Sequence, residues 1–131
     1  MVLAWSLGLA AQVVSGPRPI EGTYWKAIEL DGQPVPAQES IRGIYLVLAD
    51  HGRVYSSDGC NRVSGTYEPK KMSIRFRAVA ASHMACIDAG GIDGVFVGAL
   101  KNARRLTIGG QRMELLDSDN RRVAAFRSVG Q

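Results

Sequence analysis

A chain of 131 residues, 46% hydrophobic and 21% charged, has the length and composition of one globular domain. A domain of this size buries roughly two-thirds of its unfolded surface, so no cross-link or metal is required for it to fold. The net charge of +4 is mild, and the cations from Lys70 to Arg127 are scattered and not clustered, which argues for solvated faces and against a nucleic-acid partner.

Residues 1–16, MVLAWSLGLAAQVVSG, are apolar and uncharged. They are too few to span a bilayer. They resemble the apolar core of a secretory signal, followed by small residues at Leu9-Ala10-Ala11-Gln12, although a positive leading region is missing. The expectation is export to the periplasm or cell envelope, with a cytoplasmic location if this stretch is instead a first strand or an uncleaved leader. It contains no cysteine, so no lipid anchor is expected in this chain, and any membrane association would have to arise otherwise. Pro17-Arg18-Pro19 reads as a linker. The chain thus divides into a leader with linker, 1–19, and a domain, 20–131.

Within the domain, 23–30 (TYWKAIEL) opens as an aromatic strand, Asp31-Gly32 is a turn, and 33–40 is a proline-broken loop. The most apolar strand candidate is 41–50. His51-Gly52 turns it into a second strand, 53–57. After the turn Asp58-Gly59-Cys60-Asn61, strand 62–68 is followed by a turn at Pro69-Lys70-Lys71 and by strand 72–80. Alternation in that strand places Met72, Ile74, Phe76 and Ala78 inward and Ser73, Arg75 and Arg77 in water. The period then changes: Ile92, Val95, Phe96, Ala99, Leu100 and Ala103 form one helical face over about 91–104. Gly94 and Gly98 each cost such a helix about 1 kcal/mol relative to alanine, which suggests that they permit close approach to a sheet. Strands at 105–109, 111–117 and 121–128, with turns at Gly109-Gly110 and 118–120, complete the chain. The predicted fold is α+β: about eight strands in a curled antiparallel sheet or partly open barrel, with one amphipathic helix packed against it. The predicted core is Trp25, Ile44, Leu46, Leu48, Ile74, Phe76, Val95, Phe96 and Leu115.

Candidate chemistry is sparse. There is no phosphate-binding loop, dinucleotide fingerprint, zinc-protease motif or nucleophile elbow. His51 sits in a turn, where a polar residue is ordinary. Cys60, His83 and Cys86, with Asp58 or Asp88, could supply a metal or thiol site, but the paired spacing of a structural zinc site is missing. The Asp58-Gly59-Cys60-Asn61 segment reads more simply as a tight corner with its cysteine inward: Asp and Gly favour turns, and Asn tolerates left-handed backbone. Gly65 in the next strand suggests a bulge or close packing.

The set formed by Trp25, Gly52, Gly59-Cys60-Asn61, Ser64-Gly65, Tyr67, Met84-Ala85-Cys86, Ala99-Leu100 and Leu106…Gly110…Met113-Leu115-Leu116 resembles the META domain, or HslJ-like heat-shock protein family, over roughly 20–128. The resemblance implies a small α+β domain of bacterial envelope proteins linked to heat shock and antibiotic tolerance, with no established enzymatic activity; no cofactor is expected. It also implies likeness to a lipid-binding secretion pilot protein. The functional expectation is therefore a non-enzymatic envelope stress module, binding or structural. Two alternatives stand beside it: a carrier of an apolar ligand or lipid, and the metal or thiol site. The expected partner is an unidentified protein or apolar small molecule, and the expected state is a monomer. Trp25, Gly59, Asn61, Ser64, Gly65, Tyr67 and Met84 are expected to be structural motif residues. Cys60 and Cys86 are expected to form a disulfide in an oxidising compartment, because two cysteines allow one intramolecular pairing and both sit at corners flanking the 62–80 hairpin.

Overall fold

The computed structural model describes residues 20–35, 43–82 and 91–129. Strand β1 (Tyr24–Leu30) alternates Trp25 and Ala27 inward with Tyr24 and Lys26 outward. A bulge between Ala27 and Glu29 shifts the phase, so that Leu30 also points inward. Asp31 and Gly32 both take positive φ (51° and 82°), the geometry that a two-residue hairpin needs. They return the chain into β2 (Gln33–Pro34), which pairs Leu30 with Gln33. The sequence reading placed these two residues in a loop. The strand is too short to carry a periodic signal, and it ends at a proline that has no N–H to donate.

Seven further strands follow in order. They are β3 (Ile44–Leu48), β4 (Arg53–Asp58), β5 (Arg62–Lys70) and β6 (Ser73–Ala81), then, after the helix, β7 (Arg105–Gly109), β8 (Arg112–Leu116) and β9 (Arg122–Ser128). Each pairs antiparallel with the next. β1 pairs with β3 on one side and β9 on the other, which closes an eight-stranded barrel with β2 as an extra strand at the end of β1. Closure removes the exposed edges that an open sheet would present. The narrowest joint lies between β6 and β7, where one residue pair, Ser73 with Arg105, is flanked by the bonds Ile74 N to Arg104 O (3.0 Å) and Leu106 N to Met72 O (2.9 Å).

Helix α1 (Ile92–Asn102) lies in the chain between β6 and β7 and packs against β6 and β4, and across the barrel against β9, β1 and β8. It buries Phe96, Ala99 and Leu100, followed by Ala103. Phe96 meets Phe126 edge-on at 6.4 Å between ring centroids, a favoured arrangement of ring quadrupoles. Trp25, Ile44, Leu46, Leu48, Ile74, Phe76 and Leu115 are buried as predicted, and Met113 and Val63 join them. Phe96, Leu100, Met113 and Phe126 belong to this one buried cluster, which joins the helix to the sheet.

Four details of the sequence reading are corrected. Val95 is 41% exposed and not core. The apolar arc from Ile92 to Ala103 is wider than the stripe the barrel covers, and Val95 falls on its solvent edge while Val97, on the other edge, packs against the core. Met72 is 59% exposed because β5 runs on to Lys70 and the turn falls at Lys71-Met72, with Lys71 at φ 58°. Ala78 is exposed because it takes φ 54° at a bulge where the β5–β6 register shifts. Past that residue the alternation inverts, and Val79 and Ala81 turn towards the core. Finally, Gly94 and Gly98 are not sites of close approach: an added Cβ at either would meet nothing within 4 Å.

Candidate functional site

The motif residues converge on the corner between β4 and β5. Asp58 is 1% exposed, and its Oδ1 accepts hydrogen bonds from the backbone N–H of Cys60 (2.9 Å) and of Asn61 (2.6 Å). The Asp58 N–H donates to the Asn61 carbonyl at 3.1 Å, and the Gly59 N–H donates to Ser57 Oγ at 3.2 Å. The carboxylate thus satisfies two buried donors that no strand partner reaches, which the interior requires. Gly59 takes φ 97°, where a Cβ is strained. Asn61 is buried, and its Oδ1 accepts a bond from Ser82 Oγ at 3.2 Å, tying the corner to the end of β6. The sequence reading placed Asp58 in this tight corner as a turn former but did not assign its carboxylate the two backbone donors it holds. The signal was present in the spacing, since an aspartate two and three residues before the donors is the pattern of an Asx turn.

Gly65 confirms the reading that it marks a bulge with close packing. Its missing Cβ would lie 3.0 Å from the Arg77 carbonyl oxygen and 3.2 Å from the Val79 Cα. Gly52, at φ 70°, faces the Tyr67 carbonyl in the same way, at 3.1 Å. The Tyr67 hydroxyl donates to the Ala49 carbonyl at 3.0 Å. Burial first, then the carboxylates of Glu21 and Asp50, push its phenol above the ordinary value. Trp25 is wholly buried, and among the described residues its Nε1 has no hydrogen-bond partner. The same holds for Ser128 Oγ on the residue paired with it across β1 and β9. Ser64 differs from the rest of the set: it faces outward, between Tyr55 and Ala80.

Cys60 is buried, 7% exposed, and among the described residues no cysteine is free. His83, Met84, Cys86 and Asp88 lie outside the described residues, so the expected disulfide and the alternative metal set rest on positions that the structure does not describe. Among the described residues, no group of three or more His, Cys, Asp or Glu side chains is placed to hold a metal ion.

Beside this corner, between β6 and α1, runs an open groove of about 540 Å³. Asp58, Asn61 and Ser82 line one wall, and Asp93, Val97 and Lys101 of the helix line the other. A second groove of about 640 Å³ lies at the other end of β6, lined by Glu68, Ile74, Arg75, Arg77 and Arg104. Arg75 and Arg77 are exposed, as the strand alternation predicts, and Arg77 meets Glu68 at 3.3 Å. No described helix is long and apolar enough to cross a membrane.

A closed antiparallel barrel with one helix packed against it and a glycine-cysteine-asparagine corner braced by a buried aspartate defines a class of small β-rich domains. The META domain family model matches residues 18–130, and the chain belongs to that family. It is similar in fold to an NMR structure of a protein from Burkholderia xenovorans, with TM-score 0.68 and 21% identity over 93% of this chain and 88% of that one. A second NMR structure is similar at TM-score 0.65 and 15% identity, over 82% of this chain and 89% of that one. No curated protein sequence matches the chain.

Proposed function

We propose that the protein is a non-enzymatic binding or structural module of the bacterial cell envelope, with its barrel cross-linked by a Cys60–Cys86 disulfide. The observation that supports this reading is the use to which the motif residues are put. Asp58 binds two backbone donors, Asn61 is held by Ser82, Gly65 seats a bulge, and Tyr67 caps the Ala49 carbonyl. These are scaffold bonds, and they leave the polar groups of the corner occupied with structure. The burial of Phe96, Leu100, Phe126 and Met113 between helix and sheet weighs against the apolar-carrier alternative, since a carrier needs an open apolar cavity for its ligand. The apolar, uncharged residues 1–16 support export.

The test is a free-thiol assay on protein recovered from an oxidising compartment and denatured without reductant. The expected result is no reactive thiol before reduction and two after it. The enclosed loop of roughly 25 residues should lend about 3.5 kcal/mol to stability, less any strain, and reduction should remove it. Two free thiols in that preparation, or metal bound in stoichiometric amount, would overturn the reading in favour of the site at Cys60, His83 and Cys86.

A further inference from the structure

Three of the chain's sixteen lysines and arginines, far apart in the sequence, are brought by the strand register onto one row of the outer wall of the barrel. One row across that wall runs Arg127, Lys26, Tyr45, the covered Ser57, and Arg62, on β9, β1, β3, β4 and β5 in turn. The next row runs Tyr24, Val47, Tyr55, Ser64. Neither row contains an aspartate or glutamate. Neighbouring strands lie about 4.8 Å apart, so the first row spans roughly 19 Å.

Two features set this wall apart from an ordinary solvated face. The first is aromatic. Tyr24 and Tyr55 are 40% and 49% exposed. Tyr24 stacks on Tyr45 with ring centroids 4.7 Å apart and planes 22° from parallel, and the Arg53 guanidinium lies 5.9 Å from the centre of the Tyr55 ring. Three tyrosines on three adjacent strands thus form an apolar strip with polar hydroxyls, the composition favoured at binding surfaces. The second is charge. Arg53, Arg77 and Arg112 each meet a carboxylate, but Lys26, Arg62 and Arg127 are exposed and have no ion pair among the described residues. These three bracket the tyrosines, and an anionic ligand lying across the strands would meet charge at both ends and, in the middle, the exposed sides of the tyrosine rings and their hydroxyls.

We propose that this wall binds an acidic polysaccharide. Its sugar rings would lie on Tyr24, Tyr45 and Tyr55, and its carboxylates or phosphates would be held by Lys26, Arg62 and Arg127. A sugar ring presents a face of C–H groups, which the electron-rich face of a tyrosine attracts. The flanking cations supply a salt-sensitive attraction that selects an acidic chain over a neutral one. The choice of a glycan over a single-stranded nucleic acid, which could use the same stacking and charge, rests on the envelope reading above, where acidic polysaccharides are the polyanions at hand.

The experiment is calorimetric titration of the full chain with octagalacturonate, a neutral cello-oligosaccharide of the same length, and a thymidine oligonucleotide about a dozen nucleotides long. Binding of octagalacturonate is expected to weaken about tenfold between about 50 and 200 mM salt, with no binding of the neutral sugar. Tyr45→Ala with Tyr55→Ala should weaken it about tenfold and leave the salt dependence in place. Lys26→Gln with Arg62→Gln and Arg127→Gln should weaken it and flatten the salt dependence. Thermal midpoints of the variants, followed by circular dichroism, establish that each is folded, and single substitutions replace any combination that is not. No binding of octagalacturonate at low salt, or binding indifferent to the tyrosines, would overturn the proposal. Tighter binding of the oligonucleotide would overturn the choice of a glycan. Failure of the envelope reading shows separately, as free thiols in exported protein.

Discussion

Two aspartates close two turns of this barrel, each through two backbone N–H bonds, in contrasting surroundings. Asp58, between β4 and β5, accepts from the N–H groups of Cys60 and Asn61 and is buried. Asp117, between β8 and β9, accepts from the N–H groups of Asp119 and Arg121, both at 2.9 Å, in a partly exposed turn. The backbones differ accordingly. The buried corner uses Gly59 at φ 97°, and the exposed one uses Asn120 at φ 64°, within the left-handed region that asparagine tolerates. Water can replace the bonds at Asp117. It cannot reach the donors at Asp58, so there the same chemistry becomes a condition of folding.

The largest effect that would break this contrast is at Asp58. Asp58→Ala leaves two buried N–H groups unsatisfied and should cost about 2–4 kcal/mol in urea denaturation. Asp58→Asn keeps an oxygen acceptor and should recover about half or more of that. Equal losses for the two variants would mean that charge, and not the acceptor, holds the corner. Next comes Gly59→Ala, expected to cost about 1–3 kcal/mol because of its backbone angle, whereas Asn120→Gly should stay within about 0.5 kcal/mol of the parent. A Gly59→Ala protein as stable as the parent would show that the corner relaxes and is not rigidly built.

The sequence made the buried corner legible because its turn chemistry is local: Asp, Gly and Asn within four residues, and a glycine in the following strand. The curled antiparallel sheet and the core along β1, β3 and β6 were legible from period-two alternation, whereas the β1–β9 pairing that closes the barrel was not. What escaped depends on phase or on pairing across strands. One extra residue at Ala78 inverts the alternation, and neither neighbour in the chain announces it. The helical period defines an apolar arc but not which edge of it the barrel covers, so Val95 was placed inside. The tyrosine and cation rows join residues up to about a hundred positions apart and exist only through the register. Gly98 illustrates the limit from the other side. It looked like a packing glycine, yet open space surrounds it, so Gly98→Ala should raise stability by about 0.5–1 kcal/mol through helix propensity. A loss measured by the same denaturation would restore the close-packing reading that the structure overturns.

The smallest expected effect lies at the exposed turn and concerns pH. The Arg121 N–H bonded to Asp117 holds its carboxyl below the ordinary value of 3.8. The Asp119 N–H, the Arg121 side chain at 3.4 Å and its charge act in the same direction, against an opposing contribution from burial. A carboxyl depressed in the folded state contributes stability that is present above the unfolded pKa and lost as pH falls through the folded one. The contribution is therefore complete at neutral pH and disappears only in acid, below the pH at which free aspartate titrates. Asp117→Asn keeps the acceptor oxygen and removes the charge. The gap in stability between parent and variant should accordingly narrow as pH is lowered from about 5 towards 2. Carbon-detected NMR of the Asp117 carboxyl provides the direct check, with a midpoint below 3.8 expected. A midpoint at or above that value would mean that water has already displaced the Arg121 and Asp119 bonds, and that the two corners differ in construction as well as in burial.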